Sequence, residues 1–234
     1  QGDVGSGKTI VALVTMLNVL EGGGQVALLA PTEILALQHF KTIEGLVSNL
    51  GVKVSIYTGS DKGEIRQKKL ADISKGSVKL IVGTHALFQK EIHYSNLQYV
   101  VIDEQHRFGV NQRISLLKKG NNADLLMMSA TPIPRSMYMV RYGDLDLSIL
   151  KSKPKGRSLI KTALMKNNKI PLLIERLKQA LKKAQAYWIC PLVEESDGLD
   201  LIAAKKRFLE LNSVLPEFNV GLLHGKMNAL EKDK

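Results

Sequence analysis

The chain alternates short runs of consecutive apolar residues with longer stretches in which apolar positions recur every three or four residues. "QVALLAP" (25–31), "VKVSIYTG" (52–59), "VKLIVGT" (78–84), "YVVIDE" (99–104) and "LLMMSAT" (125–131) are rich in β-branched residues and read as strands. Several are apolar on consecutive residues rather than alternating, as expected where helices cover both faces of a parallel sheet. Helical patterns fill 8–20, ending at Gly22-Gly23-Gly24, and 33–50, bracketed by Thr32 as N-cap and Gly51 as C-terminal stop. This alternation predicts an α/β, doubly wound domain with a mostly parallel sheet over residues 1–150.

The basic, Pro- and Gly-containing stretch "KSKPKGRS" (151–158) has no periodicity and reads as a linker. Beyond it the alternation resumes: strands at 159–165, 186–193 and 219–225, helices at 169–183 and 199–211. Three strands and two helices over 159–234 fall below the ~100 residues common for a domain, so this region is expected to be part of a second one. There is no internal repeat at a fixed period and no low-complexity segment.

Composition narrows the class. With 44% hydrophobic and 24% charged residues the chain is globular rather than disordered, and no apolar run approaches the ~18 residues that span a bilayer. A single cysteine, Cys190, excludes an intrachain disulfide and points to a reducing cytoplasm. Thirty-three Lys+Arg against 22 Asp+Glu leave a net charge of +11, which draws a polyanion, nucleic acid before membrane. Aromatics at 5% argue for phosphate contacts over a base-stacking platform.

The chemistry begins at the first residues. "GDVGSGKT" (2–9) fits G-x-x-x-x-G-K-[ST], the P-loop spacing. Its glycines let backbone N–H groups converge on phosphate oxygens, and the following helix adds the positive end of its dipole. Lys8 would reach the β- and γ-phosphates of ATP and the Thr9 hydroxyl would hold Mg²⁺. Such a loop normally follows a strand, so the chain is expected to start one strand late. In "VVIDEQHRFGV" (100–110) two acids end an apolar strand, at the sheet edge where ligands bind. Asp103 fits an acid that holds the metal, and Glu104 a base that orients the attacking water.

Asp103-Glu104-Gln105-His106 resembles the D-E-x-H box of the second helicase superfamily, and "SAT" (129–131) its third motif. The strings "QGDVGSGKT", "APTEILALQH", "GTHALFQ", "DEQHRFGVNQR", "MSATPIPRS" and "YWICPLVEESD" together resemble the RecG family, bacterial ATP-dependent helicases that translocate on branched DNA. The resemblance runs the whole length of the chain. It implies a RecA-like P-loop domain followed by a truncated second RecA-like domain, and recombination and repair at forks and Holliday junctions. It also implies a monomer working on nucleoid DNA in the bacterial cytoplasm.

Carried onto this sequence, the resemblance makes Gly2, Gly5, Ser6, Gly7, Lys8 and Thr9 the phosphate cradle, with Asp103 and Glu104 serving metal and water. Gln105 and His106 would connect the nucleotide to Ser129 and Thr131. Thr32, Ser60, Thr84, His85 and Arg135 would face DNA, with His224 and Lys226 of "LLHGKM" (222–227) gripping it from the second domain. The residues by themselves leave plainer readings open. Thr32 is equally a helix cap, His85 and His106 are ordinary strand-end histidines, and Trp188 belongs to a core. His39 and His93 lack metal-ligand spacing and Cys190 lacks a partner, so no zinc site is expected. The transition-state arginine of the helicase class belongs to a motif past residue 234, so weak or absent turnover and poor stability are expected of the chain alone. A transcription-repair coupling translocase of the Mfd type and a non-catalytic remnant that binds nucleotide or DNA are the rival readings.

Overall fold

The computed structural model describes residues 1–104, 116, 119–120, 123–131, 146–152, 154, 160–190, 199–225 and 227. The chain divides into two compact units, Gln1–Ser158 and Leu159–Lys234.

In the first unit the elements run α1 (Lys8–Glu21), β1 (Gln25–Leu29), α2 (Glu33–Val47), β2 (Val54–Tyr57), α3 (Gly63–Ser74), β3 (Leu80–Gly83), β4 (Leu97–Ile102) and β5 (Asp124–Met127). The strands form one five-stranded sheet in the order β2-β3-β1-β4-β5, and every pairing is parallel. All five residues of β1 are buried. Along it Val26 and Leu28 face one core with Ala12, Met16, Ala36 and Ile43, while Ala27 and Leu29 face the other with Tyr57, Ile73 and Ile102. Both faces are therefore covered, which is why the strand sequences are apolar at consecutive positions. The expected parallel α/β fold is the one observed.

Local chemistry sets the boundaries. Thr32 caps α2, its hydroxyl accepting from Leu35 N at 3.3 Å, and a 3-10 turn (Ser48–Leu50) closes the helix at Gly51, whose φ of 68° suits glycine. Gln25, buried at the start of β1, donates to Ile73 O (2.9 Å) and Val78 O (2.8 Å) and accepts from Asn96 N (2.9 Å). Buried polar groups persist where their hydrogen bonds are made, and these three tie the start of β1 to the end of α3 and to the residues entering β3 and β4.

Two features differ from expectation. Helix α3 has no counterpart in the predicted elements, because its one fully buried residue is Ile73 while Ile65 lies exposed. In the second unit the helices form as α4 (Ile170–Leu181) and α5 (Leu199–Val214). The described parts of the three expected strands, 160–165, 186–190 and 219–225, carry no ladder. An apolar run becomes a strand only against a hydrogen-bonding neighbour, and among the described residues none is paired. The helices and the second and third of these segments line an apolar cleft of about 820 Å³ that includes Leu173, Trp188, Cys190, Phe208, Leu211 and Phe218. Among the described residues no helix is long and apolar enough to cross a membrane.

Candidate nucleotide and DNA site

After β1 the chain moves toward β2, whereas after β4 it moves toward β5, so the crevice at the C-terminal ends of β1 and β4 is a topological switch point. Both halves of the candidate site lie along this edge of the sheet.

The loop 2–7 enters α1 through Gly7, which has φ 96° and serves as an N-cap without a side chain. Gly5 also has positive φ, at 71°. The first turn of α1 holds no acidic residue, so its leading amides, which have no acceptor within the helix, are left to meet an anion. Lys8 Nζ donates to the carbonyls of Gly2 (2.7 Å) and Asp3 (3.0 Å), folding its charge over the loop. Ser6 Oγ is buried beneath the loop with no protein partner.

The base of the loop is tied to the third motif. Gly2 N donates to Ser129 O (3.2 Å) and Gln1 Nε2 to Thr131 O (3.0 Å). On the other side Leu150 N donates to Gln1 O (2.7 Å) and Gly2 forms a parallel bridge with Leu150. Ser129 and Thr131 join their own hydroxyls at 3.0 Å. The structure thus brings Gly2, Ser129 and Thr131 to one place.

Asp103 follows β4 and is held at both carboxylate oxygens. Oδ2 lies 2.8 Å from His39 Nε2, and Oδ1 accepts from Glu104 N at 3.0 Å. Glu104 itself has φ 49°, the only positive value at a non-glycine among the described residues. Strained backbone of this kind concentrates at functional sites.

The other half of the edge carries the residues expected to meet DNA. The loops after β1, β2 and β3 lie side by side, since Leu29, Tyr57 and Gly83 are register partners. Thr32, Ser60 and His85 are exposed there, and Glu33 Oε1 accepts from Ser60 N at 3.1 Å. Thr84, expected at this surface, is instead enclosed: the whole residue is only 1% exposed and its hydroxyl has no partner, because it follows the fully buried strand β3. His224, in the second unit, keeps Nδ1 buried and unpaired while its amide donates to Met227 Sδ (3.4 Å). Gln105, His106, Arg135 and Lys226 lie outside the described residues.

Sequence reasoning missed His39 as the partner of Asp103. The signal was its position: with Ala36, Ile43 and Val47 it forms the buried stripe of α2, where a polar side chain must find a partner. Among the described residues no group of three or more His, Cys, Asp or Glu is placed to hold a metal.

A glycine-rich loop opening a helix beside an acid-tipped parallel strand defines a P-loop nucleotide-binding domain. The chain belongs to the DEAD/DEAH box helicase family, whose profile matches residues 1–140. Within it the likeness is to RecG. The chain is 46% identical to the ATP-dependent DNA helicase RecG of Haemophilus influenzae, covering 99% of this chain and 34% of that one. It is 42% identical to RecG of Thermotoga maritima, covering 100% and 30%. It therefore spans about a third of the length of these relatives. A solved structure of RecG bound to a three-way DNA junction superposes with a TM-score of 0.78 at 36% identity, over 100% of this chain and 30% of that one. The helicase Lhr of Mycobacterium smegmatis, at TM-score 0.62 and 17% identity over 99% of this chain and 34% of that one, shares the fold.

Proposed function

We propose that this chain carries the ATP-binding and DNA-facing parts of a RecG-type motor that moves on branched DNA. The observation that carries the reading is the shared edge: the P-loop, hydrogen-bonded through Gly2 to Ser129, and Asp103 and Glu104 at the end of β4 sit on one side, with Thr32, Ser60 and His85 on the other. We read 1–150 as a first RecA-like domain, 151–158 as a linker and 159–234 as part of a second.

Gly2, Gly5, Ser6, Gly7, Lys8 and Thr9 cradle the ATP phosphates. Lys8 exchanges the Gly2 and Asp3 carbonyls for phosphate oxygens, and the first-turn amides of α1 complete the cradle. Thr9 and Asp103 are the residues that would hold Mg²⁺. A hydroxyl and a carboxylate are hard oxygen donors of the type Mg²⁺ takes, and the orphaned Ser6 Oγ adds a third oxygen at the same loop. When bound, Mg²⁺ neutralises charge on the phosphates. Glu104 orients the attacking water and accepts its proton. Gln105 and His106 pass the nucleotide state to Ser129 and Thr131, which touch the base of the loop. Thr32, Ser60, His85 and Arg135 contact DNA phosphates, joined by His224 and Lys226, while the enclosed Thr84 supports the turn that carries His85. Such contacts read backbone rather than sequence, in keeping with the net charge of +11. We take the protein to act as a monomer in the bacterial cytoplasm.

The test is fluorescence anisotropy of a labelled three-way junction and of a linear duplex of equal length, titrated with this chain at several salt concentrations. Tighter binding to the junction, weakening steeply with salt, supports the reading. Equal affinity for both substrates removes the branched-DNA assignment, and no binding removes DNA as the partner.

A further inference from the structure

His39 is a polar side chain on the core-facing stripe of α2, flanked along it by Ala36 and Ile43. Leaving an imidazole unpaired there would cost stability, and its partner is Asp103. The two side chains are 11% and 15% exposed, and Nε2 stands 2.8 Å from Oδ2. A carboxylate only accepts, so Nε2 carries the hydrogen. The second oxygen, Oδ1, takes the Glu104 amide at 3.0 Å. Asp103 is thereby clamped from two directions: by α2, and by the backbone that turns Glu104 into the left-handed region. Among the described residues no group of three or more His, Cys, Asp or Glu is placed to hold a metal through its side chains, and the imidazole acts as a donor to the acid.

We infer that His39 is a positioning residue that fixes the rotamer in which Asp103 holds Mg²⁺ at the nucleotide. The inference rests on the proposed nucleotide site. Outer partners that orient a metal-binding carboxylate typically change metal affinity ~10–100-fold when removed. A merely structural role would show only in stability, so the readout is the Mg²⁺ dependence of nucleotide binding.

The experiment titrates Mg²⁺ into this chain with a fluorescent, non-hydrolysable ATP analogue, and repeats the analogue titration in EDTA. His39→Met keeps the apolar volume and removes the donor. His39→Gln keeps a donor at about the reach of Nε2, whereas His39→Asn carries the same amide too short to reach. The Met and Asn variants should need about 10-fold more Mg²⁺ for half-saturation, with affinity in EDTA unchanged. Gln should return to within about 3-fold of the parent. Equal Mg²⁺ requirements across all four proteins would overturn the inference while leaving the nucleotide site standing, as would a loss of equal size in EDTA. If the Met variant does not fold, the Gln–Asn comparison decides alone. Failure of the parent to bind the analogue at all overturns the nucleotide-site reading and the positioning role with it.

Discussion

Replacing Gly2 with Ala places a methyl group 2.5 Å from Ser6 Oγ, 3.0 Å from Leu150 Cβ and 3.3 Å from Leu150 O. The first contact is too close for any carbon and oxygen, so something must move. Overpacking a buried site costs about 1–3 kcal/mol, and the stiffer unfolded chain returns about 0.4–1 kcal/mol. A net loss of about 1–2 kcal/mol follows. Ser6→Ala removes the atom nearest the new methyl and also deletes a buried hydroxyl that has no partner, so by itself it should be neutral or slightly stabilising. The double variant Gly2→Ala/Ser6→Ala should therefore be more stable than the sum of the singles by about 1 kcal/mol, with the Leu150 contacts accounting for what remains. The only tryptophan, Trp188, lies in the second unit, so its fluorescence is blind to this change. Amide hydrogen exchange of peptides covering β1 and β4, followed through urea, reports the right unit. Additivity of the two substitutions within about 0.3 kcal/mol, or an undamaged Gly2→Ala, would refute the packing described at the base of the loop.

Gln25→Leu removes the side-chain donor from the Val78 and Ile73 carbonyls, the second of which keeps the Gly76 amide, and the acceptor from the Asn96 amide; a loss of about 1–3 kcal/mol is expected by urea denaturation, and an unchanged midpoint would show that the three bonds are not needed. Thr32→Ala removes the cap of α2. At 3.3 Å the bond is long, so the loss should fall near the lower end of about 0.5–2 kcal/mol and be recovered by Thr32→Ser; equal stability of all three proteins would contradict the cap. Burial raises the pKa of the Tyr57, Tyr94 and Tyr99 phenols above the ordinary 10.0, with the Thr15 hydrogen bond opposing it at Tyr99. A raised folded pKa gives stability that is whole below the unfolded value and is lost as pH climbs past it. Phenolate absorbance should accordingly show these three of the six tyrosines ionising only above pH 10, together with loss of far-ultraviolet dichroism, and reversible titration of all six near pH 10 with the fold intact would contradict their burial.

Much of the first unit was legible because buried parallel strands leave a one-dimensional trace, a run of apolar residues with no polar side to place. "QVALL" and "LQYVVI" could be little else. Helix α3 left no such trace, since one deeply buried residue in twelve makes a weak stripe. The segments 160–165, 186–190 and 219–225 mark the opposite limit: side-chain pattern is local, but a ladder is a property of two segments, and no apolar run states whether its neighbour is there. The site divides the same way. As candidates, Gly2, Lys8 and Thr9 were legible from the spacing of one local loop, and Asp103 and Glu104 from their place at the end of an apolar run. His39 against Asp103, 64 residues apart, and Gly2 against Ser129 and Leu150 depend on how the sheet is ordered. The enclosure of the Thr84 hydroxyl is likewise a consequence of packing.

The central claim is that the edge joining the P-loop to Asp103 and Glu104 is an ATP site. Isothermal titration of ATP with Mg²⁺ into this chain, with Lys8→Ala and Asp103→Asn as comparisons, tests it most directly. Saturable one-to-one binding that is lost in Lys8→Ala and weakened in Asp103→Asn only when Mg²⁺ is present is the predicted result. Binding that survives Lys8→Ala unchanged, or no heat of binding by the parent chain, would contradict it.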